Sequence, residues 1–554
     1  MKKINKMNFK SLRWIWQILE KRKAALVILV CIQIINGFII TTRSFILKDV
    51  IDFATKGIQG RFVSTMMILI VVYLFQLAIL SWYRHLQAKT QYGMEMDLKY
   101  LLFHNILEKK YEDITAMHSG EWNQRMTSDT AAVASLSVNT IPGFIGLIVR
   151  LFSSIVALFL LVPTLVIIMI PFGICLVVIS LFLKRKTKRM YHEIQDADGK
   201  FRVFLQEHLS SLLMIKAFNK KDVSLCEGKR TMDTHFEKIM KRNTFMIYIE
   251  IFGSIAMNGM YLLGVLLGGY GILHGNLSYG TFSAILTLVM QAQSQVSNAS
   301  SYFTNIFNIT ASAERLMEIE SFPEEIVAEK KQEEVQDFYQ NALQAIEFRN
   351  ITFSYKDQNE QIVFVNKSFC INKGEFVALT GESGCGKSTI LKILLNIYSL
   401  DKGECVLVGK KGDIQLDASW RNLFAYVPQG NMLMAGSIQD VVTFGEVFDK
   451  EKMEKSLEIA CAKEFVQELE NGIHTILKER GNGLSEGQMQ RLSLARAIYS
   501  DRPILLLDES TSALDQETEQ KVLQNIRQMT EKTVIIVTHR MATFDYCDRV
   551  IHFE

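Results

Sequence analysis

Two short stretches carry residues suited to handling a polyphosphate. Residues 381–389, GESGCGKST, fit GxxxxGK[ST], directly follow the apolar run GEFVAL and lead into TILKILLNIYSL. In that setting the glycines let backbone amides close round phosphate oxygens, Lys387 reaches the β and γ phosphates of ATP, and the Ser388 hydroxyl ligates Mg²⁺. The dipole of the helix that follows adds to the attraction. Gly381, Glu382, Ser383, Gly384, Cys385, Gly386, Lys387, Ser388 and Thr389 thus form the expected ATP cradle, with Cys385 a spacer rather than a redox group. Further along, PILLLDE delivers Asp508 to the Mg²⁺ shell and sets Glu509 where it can orient or deprotonate an attacking water. An apolar run ending in two acids says little alone; behind a phosphate loop it specifies a nucleotide hydrolase. A third stretch, GNGLSEGQMQRLSLARA (481–497), has glycines, Ser485 and then an amphipathic helix. It is suited to an anion, yet Glu486 places a carboxylate between Ser485 and Gly487.

The elements that must hold these residues are legible in the same half of the chain. Apolar runs GEFVALTG, LFAYVPQ, PILLLDE and TVIIVTH alternate with helical segments, the pattern of a mostly parallel sheet covered by helices. Ligands of such α/β sheets sit at the carboxyl ends of the strands.

The other half is different in kind. The chain is 49% apolar with only 6 prolines, and apolar runs of spanning length fall near residues 24–42, 62–83, 142–162, 164–183 and 245–273, with a weaker sixth at 279–300. The first run is no cleaved signal peptide, because it lacks a small-residue cleavage site and further spans follow it. Basic residues crowd the N-terminal tail (Lys2, Lys3, Lys6, Lys10, Arg13, Lys21, Arg22, Lys23), the segment after the second span and the segment after the fourth (Lys184, Arg185, Lys186, Lys188, Arg189). The positive-inside bias puts both termini and the ATPase domain in the cytoplasm of what is expected to be a bacterial cell membrane protein, with membrane lipid around the spans. A net charge of +3 gives no reason to expect nucleic acid as a partner. The 8 cysteines form no CxxC pair and read as reduced thiols.

The expected organisation is a helical membrane domain with six spans over residues 1–312, a charged linker over 313–344 and an α/β cassette over 345–554. The two long cytoplasmic connections read as amphipathic helices that continue the spans, with polar turns at HSGEWNQRMTSDTAAV and near Ser210 to Lys216.

Taken in order, Tyr355 in FSY, the phosphate loop, Gln429 in YVPQ, LSEGQ, LLLDE, Asp515 in SALD and His539 in VTHR resemble the ATP-binding cassette (ABC) family across the whole chain. The resemblance implies that Tyr355 stacks on adenine, Gln429 senses γ-phosphate and Mg²⁺, and His539 holds the γ-phosphate. It also implies that Leu484, Ser485, Gly487 and Gln488 serve the ATP held by a partner chain, with Asp515 in the dimer contact. Six spans ahead of the cassette resemble the exporter branch, in which HSGEWNQRMTSDTAAV would be the first coupling segment and LMIKAF lies beside the second. Two departures stand out. RVIHFE falls some twenty residues short of the usual family end, which is expected to weaken a contact between cassettes if that end is the natural one, and no segment of peptidase length is expected ahead of the spans.

Polar groups inside spans are costly and mark candidate transport residues. Arg150 lies in the middle of the third span; Glu250 lies inside the fifth and Arg43 at the outer end of the first, where each could instead snorkel to water. Gln291, Gln295, Asn298, Tyr302 and Asn305 recur every three or four residues along the sixth, as a cavity wall or as interhelical hydrogen bonds. Together they suit a cargo such as a peptide, amphipathic or bearing a carboxylate, with a lipid or drug as the alternative. The leading reading is an ATP-driven exporter subunit pairing with a second copy of itself. A heterodimer with a homologous half-transporter carrying one weakened site, and an ATP-gated channel, are the competing readings.

Overall fold

The computed structural model describes residues 9–117, 119–325, 330–355, 362–430, 433–478 and 483–553. Lys2, Lys3, Lys6, His118, Gly481 and Asn482, all drawn on above, lie outside the described residues. The chain divides into two compact units, Met1–Phe103 with Asn123–Ile319, and His104–Trp122 with Glu320–Glu554.

The helices run α1 (Phe9–Ile18), α2 (Lys23–Thr55), α3 (Gln59–Glu108), α4 (Tyr111–Thr115), α5 (Ser119–Gln124), α6 (Thr130–Leu161), α7 (Pro163–Ser210), α8 (Leu212–Ala217), α9 (Lys221–Leu273) and α10 (Tyr279–Met317). The six apolar runs fall in α2, α3, α6, α7, α9 and α10, giving the expected helical bundle. Among the described residues four helices are long and apolar enough to cross a membrane, and a shorter apolar stretch, Pro163–Cys175, opens α7. Helix α10 carries amide and hydroxyl side chains through its length, which dilutes its apolarity. Pro163 sits at the first position of α7, where its missing N–H costs nothing, while Pro142 and Pro171 lie within helices.

Within this unit α10 packs on α6, α2 and α9, and α7 on α9. Small residues let the helices approach: a Cβ on Gly143 would meet the Tyr302 ring at 2.7 Å, and one on Gly146 would meet Gln33 Oε1 at 2.9 Å. The N-terminus of α10 is capped twice, by Ser278 and by Asp52 of α2, whose carboxylate accepts from the Gly280 amide at 2.8 Å and the Ser278 hydroxyl at 2.8 Å.

The second unit begins with α11 (Gln332–Asp337) and continues as β1 (Leu343–Ser354), β2 (Ile362–Asn372), β3 (Phe376–Gly381), α12 (Lys387–Leu394), β4 (Lys402–Gly409), β5 (Gly412–Gln415) and β6 (Phe424–Val427). After β7 (Gly436–Ser437) come α13 (Ile438–Thr443), α14 (Lys450–Ile459), α15 (Lys463–Glu468), β8 (Ile476–Leu477) and α16 (Glu486–Tyr499). The unit closes with β9 (Ile504–Asp508), α17 (Gln516–Arg527), β10 (Thr533–Val537), α18 (Met541–Phe544) and β11 (Arg549–Phe553). An antiparallel sheet, β2-β1-β4-β5, accompanies a parallel one, β11-β3-β10-β9-β6. Strands β9 and β10 are buried along their whole length, which is why they read as unbroken apolar runs rather than alternating ones.

Two features were not visible in the sequence pattern. The stretch 313–344 is more than a charged connection: α11 and the turn after it bury Val335 and Tyr339 in the cassette core, while Glu333, Glu334 and Asp337 of α11 are exposed. Residues His104–Trp122, inside the region read as membrane domain, cluster with the cassette instead. The backbone explains it, since the Lys110 amide donates to Pro323 O at 3.2 Å and the Glu325 amide to Glu108 O at 2.8 Å.

Candidate functional site

The order of the parallel sheet brings four sequence motifs to one edge. The phosphate loop follows β3, Asp508 ends β9 with Glu509 just after it, His539 follows β10, and Gln429 follows β6, and these four strands are neighbours.

The loop needs its glycines. Gly381, Gly384 and Gly386 have φ of +145°, +86° and +96°, and a Cβ on Gly381 would come within 2.1 Å of the Phe553 carbonyl oxygen. Gly386 caps the N-terminus of α12, so the first helical amides face the loop's hollow. Lys387 is buried there, its Nζ donating to the carbonyls of Gly381 at 3.0 Å and Glu382 at 2.7 Å. The next hydroxyl, Ser388 Oγ, donates to Asp508 Oδ1 at 2.7 Å, and Tyr426 Oη donates to Oδ2 at 3.3 Å. Asp508 is 1% exposed, and burial holds its carboxyl above the usual range against the opposing hydrogen bonds of Ser388 and Tyr426. Two hard oxygens at contact distance, one on a carboxylate that burial leaves in need of a cation, fit a divalent metal completed by substrate phosphates.

Glu509 occupies the left-handed region at φ +48°, unusual for a residue with a Cβ. Its amide donates to Val537 O at 3.1 Å, and its carboxylate accepts from Gln429 Nε2 at 2.8 Å and lies 3.7 Å from His539 Nε2. The three motifs thus meet on one carboxylate. Tyr355 shares a hydrogen bond with Thr389 Oγ1 at 2.8 Å, and its ring stands nearly perpendicular to those of Phe353 and Tyr398.

Ser485 caps α16. Its hydroxyl accepts from the Gln488 amide at 3.2 Å and Gln488 Oε1 accepts from the Ser485 amide at 2.9 Å, a reciprocal box. Leu484 packs on the core, while Ser485 and Glu486 are exposed at the helix start. Gly487 is tight against the following loop, where a Cβ would meet Ala513 O at 2.9 Å. Asp515 caps α17 through the Thr518 amide at 3.0 Å, a hydrogen bond that holds its carboxyl below the usual range.

Sequence reasoning missed the residues that join these pieces. Buried Gln490 receives the Ala513 amide at 2.9 Å and donates to Ser512 Oγ at 3.0 Å, fixing α16 to the loop after Glu509. From the other side Arg540 donates to Ser512 O at 2.6 Å and Leu514 O at 3.1 Å and pairs with buried Glu519. Both lie within stretches named above, GNGLSEGQMQRLSLARA and VTHR, but their partners are set by tertiary contact.

In the membrane unit Arg150 donates through Nε to Gln295 Oε1 and through Nη1 to Gln33 Oε1, each at 3.1 Å. Gln291 donates to Ser44 Oγ at 3.2 Å and Tyr302 covers Gly143, so part of the α10 face forms interhelical bonds. Asn298 is exposed and Asn305 half-buried. Arg43 donates to Gln76 at 3.1 Å and lies over the Tyr73 ring, whereas Glu250 is exposed on α9 and stands apart from this network.

Two family models match: ABC transporter transmembrane region over residues 26–296 and ABC transporter over residues 364–512. An ATP-dependent lipid A-core flippase of Desulfotalea psychrophila is 27% identical over 549 residues, covering 96% of this chain and 92% of the flippase. The ATP-dependent permease MDL1 of Candida albicans is 30% identical, covering 79% of this chain and 64% of that one. A multidrug resistance ABC transporter ATP-binding and permease protein of Lactococcus lactis is 29% identical, covering 81% and 75%. A bacterial Atm1-family ABC exporter with ATP bound shares the fold at TM-score 0.78 and 20% identity, covering 97% of this chain and 94% of that one.

Proposed function

The chain belongs to the ABC transporter family as an exporter half-transporter, and on that premise we propose a homodimer that hydrolyses ATP at two shared sites to move an amphipathic, anionic cargo outward. It is an integral membrane protein, an ATPase and an ATP-driven exporter subunit, and half-transporters of this family generally act as dimers. Both termini and the cassette are assigned to the cytoplasm of a bacterial cell.

The observation that carries the hydrolytic reading is the meeting of Gln429, Glu509 and His539 at the mouth of the phosphate loop. Backbone amides and Lys387 hold the ATP phosphates, and Tyr355 stacks on adenine. Ser388, Asp508 and Gln429 would hold Mg²⁺, which when bound neutralises charge on the phosphate oxygens. Glu509 takes the proton of the attacking water, Gln429 keeps the carboxylate aimed, and His539 steadies the γ-phosphate. The exposed N-terminus of α16, with Ser485, Gly487 and Gln488, faces the ATP of the partner subunit, and Asp515 lies in the contact between cassettes.

The cargo assignment rests on Arg150. Among the described residues it forms no ion pair, and both side-chain partners are neutral amides. A guanidinium so placed within a span keeps its charge for a ligand, and Gln291, Gln295 and Asn298 extend the polar wall. An acidic peptide and an anionic lipid supply that chemistry equally. Purified alone into neutral-lipid nanodiscs, the protein is expected to be dimeric and to hydrolyse ATP. Added anionic lipid or acidic peptide should stimulate it, their neutral analogues should not, and the stronger arm names the cargo source. An inert monomer that revives only with a second gene product would overturn the homodimer.

A further inference from the structure

We propose that Tyr398 is a positioning residue that transmits occupancy of the adenine site to residues 104–122. The proposal rests on the reading of Tyr355 as the adenine-stacking residue.

Tyr398 lies just after α12, in a turn held on both sides. Asn396 takes φ +50° there, its amide donates to Ile393 O at 2.8 Å, and Arg421 donates to the carbonyls of Leu395 at 2.7 Å and Asn396 at 3.0 Å. The ring projects from this pinned backbone into three aromatic contacts. Its centroid is 5.4 Å from Tyr355 with the planes at 89°, 5.6 Å from Phe353, and 6.1 Å from Tyr111 with the planes at 84°. One residue on, the Ser399 amide donates to the Glu112 carboxylate at 2.7 Å. Tyr398 therefore bridges the nucleotide-facing tyrosine and Tyr111 and, through Ser399, Glu112 of the segment 104–122, and all of these groups belong to one compact unit.

A second tie runs in parallel. Arg421, which fixes the Tyr398 turn, also forms a two-point pair with Glu325, and the amide of that residue holds Glu108 O. Near-perpendicular aromatic pairs are directional, so restraining the Tyr355 ring beneath a stacked base restrains Tyr398, and through it Tyr111 and the backbone bound by Glu112. Burial, with Tyr355, Tyr111 and Glu112 nearby, pushes the Tyr398 phenol up to about 12, so the ring stays neutral and the relay works by packing. This supplies two distinct sites and a contiguous contact path between them.

The test is hydrogen–deuterium exchange over residues 104–122 in the full-length protein in nanodiscs, with and without Mg²⁺ and the non-hydrolysable analogue AMP-PNP. In the unmodified protein and in Tyr398→Phe the analogue is expected to slow exchange there about fivefold, at the lower end of allosteric couplings. In Tyr398→Ala the slowing should fall below about twofold while analogue affinity stays within about threefold, the size of a modest remote effect. Undiminished protection in Tyr398→Ala overturns the relay, and so does loss of affinity in step with protection, which would make Tyr398 part of the adenine site. Glu112→Ala breaks the far contact without touching the pocket: reduced protection supports the relay and unchanged protection overturns it, even if Tyr398→Ala does not fold. Tyr355→Ala with unchanged analogue affinity overturns the adenine reading itself and the relay with it.

Discussion

The cassette and the membrane unit hold their polar groups by opposite means. In the cassette the acting residues sit at the carboxyl ends of four neighbouring parallel strands, and each is fixed by a short, identifiable contact such as Ser388 to Asp508 or Gln429 to Glu509. In the membrane unit Gln33, Arg43, Ser44, Gln76, Arg150, Gln291 and Gln295 come from four helices and satisfy one another through guanidinium, amide and hydroxyl groups. Phosphate chemistry demands one geometry, so it demands particular residues at particular spacings. A transport path needs polarity on facing helices, and many residue sets provide it.

The sharpest way to break this contrast is at Glu509. If the carboxylate is the base, Glu509→Gln should lower kcat by about a hundredfold to ten thousandfold with ATP affinity retained, measured by phosphate release. Retained turnover would reduce the cluster to a structural hydrogen-bond network. Asp508→Asn comes next. Burial raises the Asp508 carboxyl, so the folded state holds its proton more tightly than the unfolded chain, and the ionised form costs stability once pH rises above the unfolded value. The variant should therefore melt higher without nucleotide yet lose most of the stabilisation by Mg²⁺ and ATP, about 2.7 kcal/mol at a hundredfold excess over Kd. A lower melting point without nucleotide would contradict that.

Arg150→Gln tests the other side of the comparison. An amide can keep the bond to Gln295 that Arg150 makes through Nε while the charge is lost, so folding and basal hydrolysis should be little changed. Stimulation by an anionic amphiphile should fall about tenfold, the scale of a charge-assisted hydrogen bond. An equal loss with a neutral amphiphile would make Arg150 a packing residue.

The same contrast explains what the sequence discloses. The phosphate loop, Asp508, Glu509 and the six long helices are local patterns, set by glycine spacing and by apolar runs with known periods. Tyr398, Gln490 and Arg540 carry no such pattern, because their partners, Tyr111, Ala513 and Glu519, are distant in the chain and become neighbours only through sheet order and loop packing. The assignment of residues 104–122 to the cassette unit was illegible for that reason, since helix α3 runs on into it without a break in periodicity.

Glu486 gives the smallest expected effect and the finest discrimination. It is exposed in the first turn of α16, where a carboxylate is favoured by the helix N-terminus, yet that terminus is the surface assigned to a γ-phosphate. Two opposed consequences follow for Glu486→Gly. The helix should lose a little stability, through the lost dipole interaction and glycine's conformational freedom, while ATP affinity should rise about twofold to fivefold at low ionic strength as a screened repulsion is removed. Raising the salt to ~1 M, where the Debye length is ~3 Å, should erase the gain in affinity and the dipole part of the stability loss, and leave the part due to glycine's conformational freedom. An affinity gain that persists in high salt would mean that glycine acts by reshaping the loop. In a homodimer both sites carry Glu486, so the ATP binding curve should shift as a whole. A curve that splits, with only one of two phases moving, would place this chain beside a different half-transporter.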